Sequence, residues 1–242
     1  MSHTFVLVPG TWVGGWVWNA VASHLESQGH RVVAPTLPGL SPGDDPSTVS
    51  LADAVQFLVS ELERRDLRDV VLVAHDWSGI PVTAVANRVP ERIAKLVYWS
   101  AFVPQAGESL LDTVPSADTE MLTRRAEENG GHSMVVPFER WRNNFVQTAP
   151  DAVRDMTYGL LRPMPFAYLR ESLSAADAAT PGLPTTYLVS SQDLTLPKGE
   201  EWWAEKYAAR LDVEPVAFDA CHAAHLTDPA LVADQLVTAA KA

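Results

Sequence analysis

A chain of 242 residues, 47% hydrophobic and 20% charged, is long enough to bury one large core and gives no reason to divide it into independent domains. A formal net charge of −12 disfavours nucleic acid and anionic membrane surfaces as partners, and no apolar run approaches the roughly 20 residues that a membrane span needs. The lone cysteine, Cys221, excludes an internal disulfide and suits a reducing cytoplasm. The run from Met1 to Phe5 passes directly into a strand pattern, which leaves no room for a signal peptide.

Phe5-Val6-Leu7-Val8 reads as the first strand and ends in Pro9-Gly10-Thr11-Trp12-Val13-Gly14-Gly15. A helix from Trp16 to Gln28 follows, with Gly29 as its C-terminal stop. Arg31 to Pro35 is the second strand, and the turn-rich stretch Ser41 to Ser47 comes after it. Ser50, with Asp53 three residues on, predicts a capped helix running to about Asp66. Val70-Val71-Leu72-Val73 is wholly apolar and mostly β-branched, the pattern of a buried central strand. It runs through Ala74-His75-Asp76-Trp77-Ser78-Gly79 into a helix ending near Arg88, and Ala94 to Ser100 is the next strand. Strands alternating with helices at this spacing predict an α/β chain with a doubly wound, mostly parallel sheet.

From about Gln105 to Ala176 the strand pattern disappears, and the segment reads as helices and irregular connections punctuated by Pro115, Pro137, Pro150, Pro163 and Pro165. The sheet pattern then resumes with a strand at Thr185–Ser190, a helix at Glu200–Arg210, a strand at Val213–Phe218 and a closing helix at Asp228–Ala240. Residues 105–176 are therefore expected to form a helical lid, inserted into one domain made of residues 1–104 and 177–242. Its expected place is over the carboxyl edge of the sheet, where ligands bind in open α/β sheets.

A strand, a sharp turn between small residues and a helix make up a nucleophile elbow, usually G-x-S-x-G with the nucleophile at the apex. Here the small flanks are kept and the apex is Asp76. Four further motifs accompany the elbow: Val6 to Trp18, Ala101-Phe102-Val103-Pro104, Gln192 to Pro197, and Cys221 to Pro229. With these motifs in this order the whole chain resembles the α/β-hydrolase fold superfamily. In detail it is similar to the small-lid branch of plant hydroxynitrile lyases and related esterases. That branch normally carries serine at the apex, and many of its members carry histidine where this chain has Pro9. Aspartate followed by tryptophan instead resembles epoxide hydrolases and haloalkane dehalogenases.

The resemblance implies a nucleophile at Asp76, an acid at Asp193 and a base at His222, with His225 as the competing candidate for the base. It also implies oxyanion donors from the backbone of Trp77 and from the loop at Thr11 and Trp12. His75 is expected to pack beneath the turn, and His3, His24 and His30 to lie on the surface. Ser78 is a weaker alternative nucleophile. No Cys, His and carboxylate cluster has metal-ligand spacing, and the glycines after the first strand form no phosphate cradle, so neither a metal nor a cofactor is expected.

A carboxylate with a reference pKa of ~3.9 is already charged and needs no base before it attacks. Attack on an ester carbonyl would give an anhydride, whose tetrahedral precursor expels the weakly basic carboxylate first. Attack on saturated carbon gives a stable ester between enzyme and substrate, so the apex favours a strained epoxide or a halide. Tyr158 and Tyr168 are the lid candidates for protonating an epoxide oxygen, and Trp141 is a lid aromatic for the substrate. A halide would need Trp77, but the asparagine that many dehalogenases carry after the first strand is replaced by Thr11. The expected function is an epoxide hydrolase acting on a bulky apolar or aromatic small molecule, given Trp12, Trp16, Trp18 and Trp141. The alternatives are a haloalkane dehalogenase, a lyase or cyclase of a biosynthetic pathway that uses Asp76 and His222 only to move protons, or a binding protein without chemistry. The expected partner is the small-molecule substrate, with a second copy of the chain, as a homodimer, the candidate protein partner.

Overall fold

The computed structural model describes residues 2–200 and 202–242. Met1, at the head of the expected N-terminal run, and Glu201, inside the expected helix Glu200–Arg210, lie outside the described residues. Six strands form one parallel sheet: β1 (Thr4–Val8), β2 (Arg31–Val33), β3 (Val70–Asp76), β4 (Ile93–Ala101), then, beyond the two short strands β5 (Ser133–Met134) and β6 (Met164–Pro165), β7 (Thr185–Ser190) and β8 (Val216–Phe218). Their order across the sheet is β2-β1-β3-β4-β7-β8. The chain therefore winds outward in one direction from β1 to β2 and in the other from β3 onward. The crevice where the winding reverses lies at the carboxyl ends of β1 and β3.

Local sequence accounts for these elements. Every residue of β3 is buried, which is why its sequence is a continuous apolar run with no alternation. The helix Leu51–Arg64 opens with the expected capping box: the Ser50 hydroxyl accepts from the Asp53 N–H, and the Asp53 carboxylate accepts from the Ser50 N–H. It buries Leu51, Ala54, Val55, Leu58 and Leu62 on one stripe. The helix after the elbow, Gly79–Arg88, is buried from Gly79 to Ala86 and packs between β3 and the helix Leu51–Arg64, so it carries no polar face to read. Asp228 caps the last helix, Pro229–Lys241, by accepting from the Leu231 N–H.

Several expectations are corrected. The first helix begins as a 3₁₀ turn over Gly15–Trp18 and becomes α-helical only from Asn19 to Ser27. The second strand stops at Val33, before Pro35, which has no N–H for a ladder. The stretch Glu200–Arg210 holds a π-helical turn over Trp203–Ala208, where a regular helix is expected. Residues 105–176 do not lose all strand character, because β5 and β6 pair antiparallel within them. His30 is buried, with its Nδ1 accepting from the His3 N–H and its ring edge-on to Phe5, where a surface position is expected.

Candidate active site

The sheet delivers four side chains to one point. Asp76 ends β3 with φ +56°, the left-handed strain that lifts an apex side chain out of a strand-to-helix turn. Two glycines make the turn possible. A Cβ on Gly10 would sit 2.8 Å from the Asp76 Cβ, and one on Gly79 would sit 2.0 Å from the Phe102 carbonyl oxygen. Ser78 does not compete as nucleophile. It is buried, its hydroxyl reaches the carbonyls of Val8 and His75 at 3.0 and 2.8 Å, and it accepts from the His75 N–H. That hydroxyl braces the turn from beneath.

The loop after β1 closes on Asp76. Thr11 donates its N–H (2.9 Å) and its hydroxyl (2.5 Å) to the same carboxylate oxygen, Oδ2. Trp12 holds this loop in place with φ +61°, its carbonyl accepting from the Arg162 N–H and its indole donating to the Met134 sulfur. The other carboxylate oxygen, Oδ1, lies 4.0 Å from Nε2 of His222. Nδ1 of His222 meets Oδ2 of Asp193 at 2.6 Å, and Oδ1 of Asp193 accepts from the Thr195 N–H and hydroxyl. His225 touches neither carboxylate; its ring stacks on Trp18, leaving His222 as the histidine within reach of both acids. His75 lies under the turn, with Nε2 at 3.0 Å from the His222 carbonyl oxygen.

Charge follows this geometry. Burial pushes Asp76 above its ordinary pKa, against the pull of the His222 charge and the two Thr11 bonds. Burial would also raise Asp193, but the charge of His222 and the bonds from His222 and Thr195 outweigh it and hold Asp193 below its ordinary value. Burial disfavours the His222 imidazolium, yet Asp193, by charge and by hydrogen bond, and Asp76, by charge, together hold His222 above its ordinary value.

A cleft open to solvent leads to Asp76. Its walls are mostly apolar, with Phe102, Leu110, Met121, Leu169 and Trp203 among them. The residues of 105–176 roof it, and they add one pair that sequence reasoning missed: Asp118 and Arg140, joined by an ion pair of 2.7 Å. Arg140 also donates to the Thr195 carbonyl, so the pair is tied to the loop that carries Asp193. Asn144 and Gln147 donate to the carbonyls of Leu194 and Gln192 on that loop, and the Phe145 carbonyl accepts from Ala223, next to His222. Phe145 and Trp203 pack on the His222 ring, edge-on at 5.1 Å and stacked at 5.7 Å. Both stand on π-helical turns, a local irregularity that often marks a functional site and that composition does not announce.

The residues expected to receive a leaving group are elsewhere. The Tyr158 hydroxyl donates to the Val136 carbonyl and the Tyr168 hydroxyl to the Pro38 carbonyl, and neither ring lines the cleft. Trp141, expected as a lid aromatic for the substrate, does not line the cleft but borders the smaller space beside Asp76 and His222, its indole donating to the Thr157 hydroxyl and its ring stacked on Phe145. The Trp77 indole, expected for a halide, is spent on the Tyr168 carbonyl at 2.8 Å. Of the tryptophans expected around a substrate, Trp12 lines the cleft, Trp18 is core, and Trp16 borders an outer groove. Among the described residues no three His, Cys, Asp or Glu side chains are grouped to hold a metal ion, and no helix is long and apolar enough to cross a membrane.

Comparison with known proteins places this geometry. A family model described as the alpha/beta hydrolase family matches residues 5–235. Methylesterase 2 of Arabidopsis thaliana is 25% identical over 98% of this chain and 95% of its own length. A carbendazim-hydrolyzing esterase of a Nocardioides species is 40% identical, but the match spans 47% of this chain and 48% of that protein, about half of each. An extracellular alpha/beta-hydrolase from a Paenibacillus species superposes with a TM-score of 0.93 at 27% identity, covering 98% of both chains.

Proposed function

The chain belongs to the alpha/beta hydrolase family and is an enzyme of that family, and we propose that within it Asp76 opens a bond at saturated carbon, with an apolar epoxide as the substrate class. One observation carries this reading: Oδ2 of Asp76 already rests on the two Thr11 donors, while Oδ1 carries no such bond and stands 4.0 Å from Nε2 of His222. A carboxylate held in that way is a nucleophile with its own oxyanion site built in.

In this reading residues 105–176 act as the lid. Oδ1 attacks an epoxide carbon from the cleft, the C–O bond on the far side breaks, and its electron pair stays on the epoxide oxygen. That oxygen moves toward the roof, where the Arg140 guanidinium is the cleft's cationic donor, and it takes its proton from water at the open mouth. The ester on Asp76 no longer carries charge, which removes one of the influences that hold His222 protonated. His222, still oriented by Asp193, then takes a proton from water as the water oxygen bonds to the Asp76 Cγ. The charge that develops on Oδ2 falls on the Thr11 N–H and hydroxyl. Collapse breaks the bond between Cγ and Oδ1, which takes the proton from Nε2 of His222, so Oδ1 leaves in the diol and the water oxygen stays in the enzyme. The relatives are named esterases, but an acyl substrate suits this apex poorly, because the tetrahedral adduct would expel the Asp76 carboxylate ahead of an alkoxide. The compartment assigned in this reading is the reducing cytoplasm, which suits the lone buried thiol of Cys221.

The commitment of the Tyr158 and Tyr168 hydroxyls to backbone carbonyls favours a second reading, a lyase or cyclase in which Asp76 or His222 moves a proton without a covalent intermediate. One experiment separates the two. His222→Ala, mixed with a panel of aryl and alkyl epoxides, is expected to accumulate an adduct on the peptide holding Asp76, visible by intact and peptide mass spectrometry and lost in Asp76→Asn. An epoxide that the unaltered protein turns over without adduct in His222→Ala contradicts the covalent reading.

A further inference from the structure

On the His222 side of Asp76 lies a second, smaller cavity with about 10 Å³ of space, room for one water, bounded by Gly10, His75, Asp76, Phe145, His222 and His225. Asp76 is a wall common to both spaces, whereas His222 lines the smaller cavity and not the cleft. The three histidine rings crowd together there, His75 lying 4.6 Å from His222 and 4.8 Å from His225 between centroids. Four of their nitrogens are buried without a hydrogen bond: Nδ1 of His75, Nε2 of His222 and both nitrogens of His225. Buried ring nitrogens seldom stay unpaired, so four on the three rings that border this space ask for a polar guest.

The chemistry of the guest follows from the rings. Nε2 of His75 faces a carbonyl, which only accepts, so Nε2 carries the proton and Nδ1 presents a lone pair to the cavity. Burial and the neighbouring His222 pull His225 down to about 3, and burial holds His75 well below its ordinary value. Both rings are neutral, and His225 therefore offers one donor and one acceptor. A Cβ on Gly10 would stand 3.1 Å from Nδ1 of His75 and 2.9 Å from Oδ2 of Asp76, so the space beside the carboxylate exists because residue 10 has no side chain. A small, uncharged guest that both donates and accepts is water.

We propose that this cavity is a water site, with His75 and His225 as its positioning residues, and that it supplies the hydrolytic water to the His222 side of the Asp76 ester while the substrate occupies the cleft. The proposal rests on the covalent reading above. One O–H of the water points to Nε2 of His222 and loses its proton there as the oxygen bonds to Cγ. The other O–H is held by the lone pair of His75 or His225. Nucleophilic water and substrate then never compete for the same space, and a bulky alkyl group in the cleft does not block its own release.

The test separates formation of the adduct from its breakdown, by rapid quench and intact mass on His225→Leu and His225→Gln with an epoxide that the unaltered protein opens. Formation is expected to be unchanged in both. Breakdown is expected to slow by about tenfold or more in His225→Leu, since misplacing a reactant by a fraction of its diameter costs that much, and to recover in His225→Gln, which restores a polar group. Breakdown at the original rate in His225→Leu overturns the proposal, and so does an equal loss of both steps in both variants, which marks a structural role. Failure of the covalent reading shows itself separately, as no adduct in His222→Ala. A high-resolution crystal structure of the resting protein reports on the site without any adduct: ordered water on Nδ1 of His75 and on His225 supports it, and a dry cavity overturns it.

Discussion

The two halves of this site are built differently. Thr11, Asp76, Asp193 and His222 stand just beyond the carboxyl ends of β1, β3, β7 and β8, and their polar groups bond to one another. The insertion contributes walls, and its polar groups are mostly turned to other uses: Tyr158 and Trp141 within the insertion, Tyr168 on Pro38, and Asn144 and Gln147 on the loop that carries Asp193. In the proposed mechanism the bond-making groups are those fixed by the sheet, whereas residues 105–176 shape the cleft and brace the loops. A change in the sheet-borne half should alter rates, whereas a change in most of the insertion's polar groups should alter stability or substrate choice.

The largest effect expected from this contrast is in pH. His222 is held above its ordinary pKa, and its imidazolium cannot accept a proton from water. In the ester His222 loses the pull of the Asp76 charge, so its pKa lies below that of the resting protein; as pH falls through this lowered value, breakdown should slow by about tenfold per pH unit. Formation needs only ionised Asp76 and should persist until that carboxyl protonates, itself at a value raised by burial. Quenched-flow rates across pH should therefore show adduct accumulating on the acid side. Parallel loss of both steps would mean that one group governs both.

Thr11→Val comes next. It removes the hydroxyl bonded to Oδ2 and keeps the N–H, so breakdown should fall on the order of 10²-fold, as for loss of one oxyanion donor. Where breakdown limits turnover, steady-state kinetics would show kcat and KM falling together, with kcat/KM little changed. The smallest effect belongs to the insertion. Tyr158→Phe and Tyr168→Phe should leave rates unchanged and lower stability by about 1 kcal/mol each, the worth of one hydrogen bond, measured by urea unfolding. A strong fall in rate in either variant would return leaving-group chemistry to residues 105–176 and erase the contrast.

The same contrast explains what the sequence discloses. Val70 to Val73 announces a buried strand, Ser50 with Asp53 announces a helix start, and the elbow announces an apex, because each signal sits within a few adjacent residues. The family resemblance assigns Asp193 and His222, and the structure brings both near Asp76. The partners of Tyr158 and Tyr168 are not legible, since a phenol near a cleft and a phenol bonded to a distant carbonyl look alike in one dimension. The Asp118–Arg140 pair is hidden for the same reason, its members being far apart in sequence and on separate helices. The π-helical turns that carry Phe145 and Trp203 bring both rings against His222, a long-range contact that no local pattern records. His30 reads as a surface residue at the end of a helix and is buried only because β1 places His3 and Phe5 beside it.

The most direct test of the account is a single turnover in ¹⁸O-labelled water, with enzyme in excess over an epoxide substrate. The account predicts that the product diol carries no label and that the peptide containing Asp76 gains one ¹⁸O, because the product leaves with Oδ1 and water rebuilds the carboxylate. Label entering the diol directly, with the Asp76 peptide unlabelled, would mean that water attacks the substrate and that Asp76 never forms an ester.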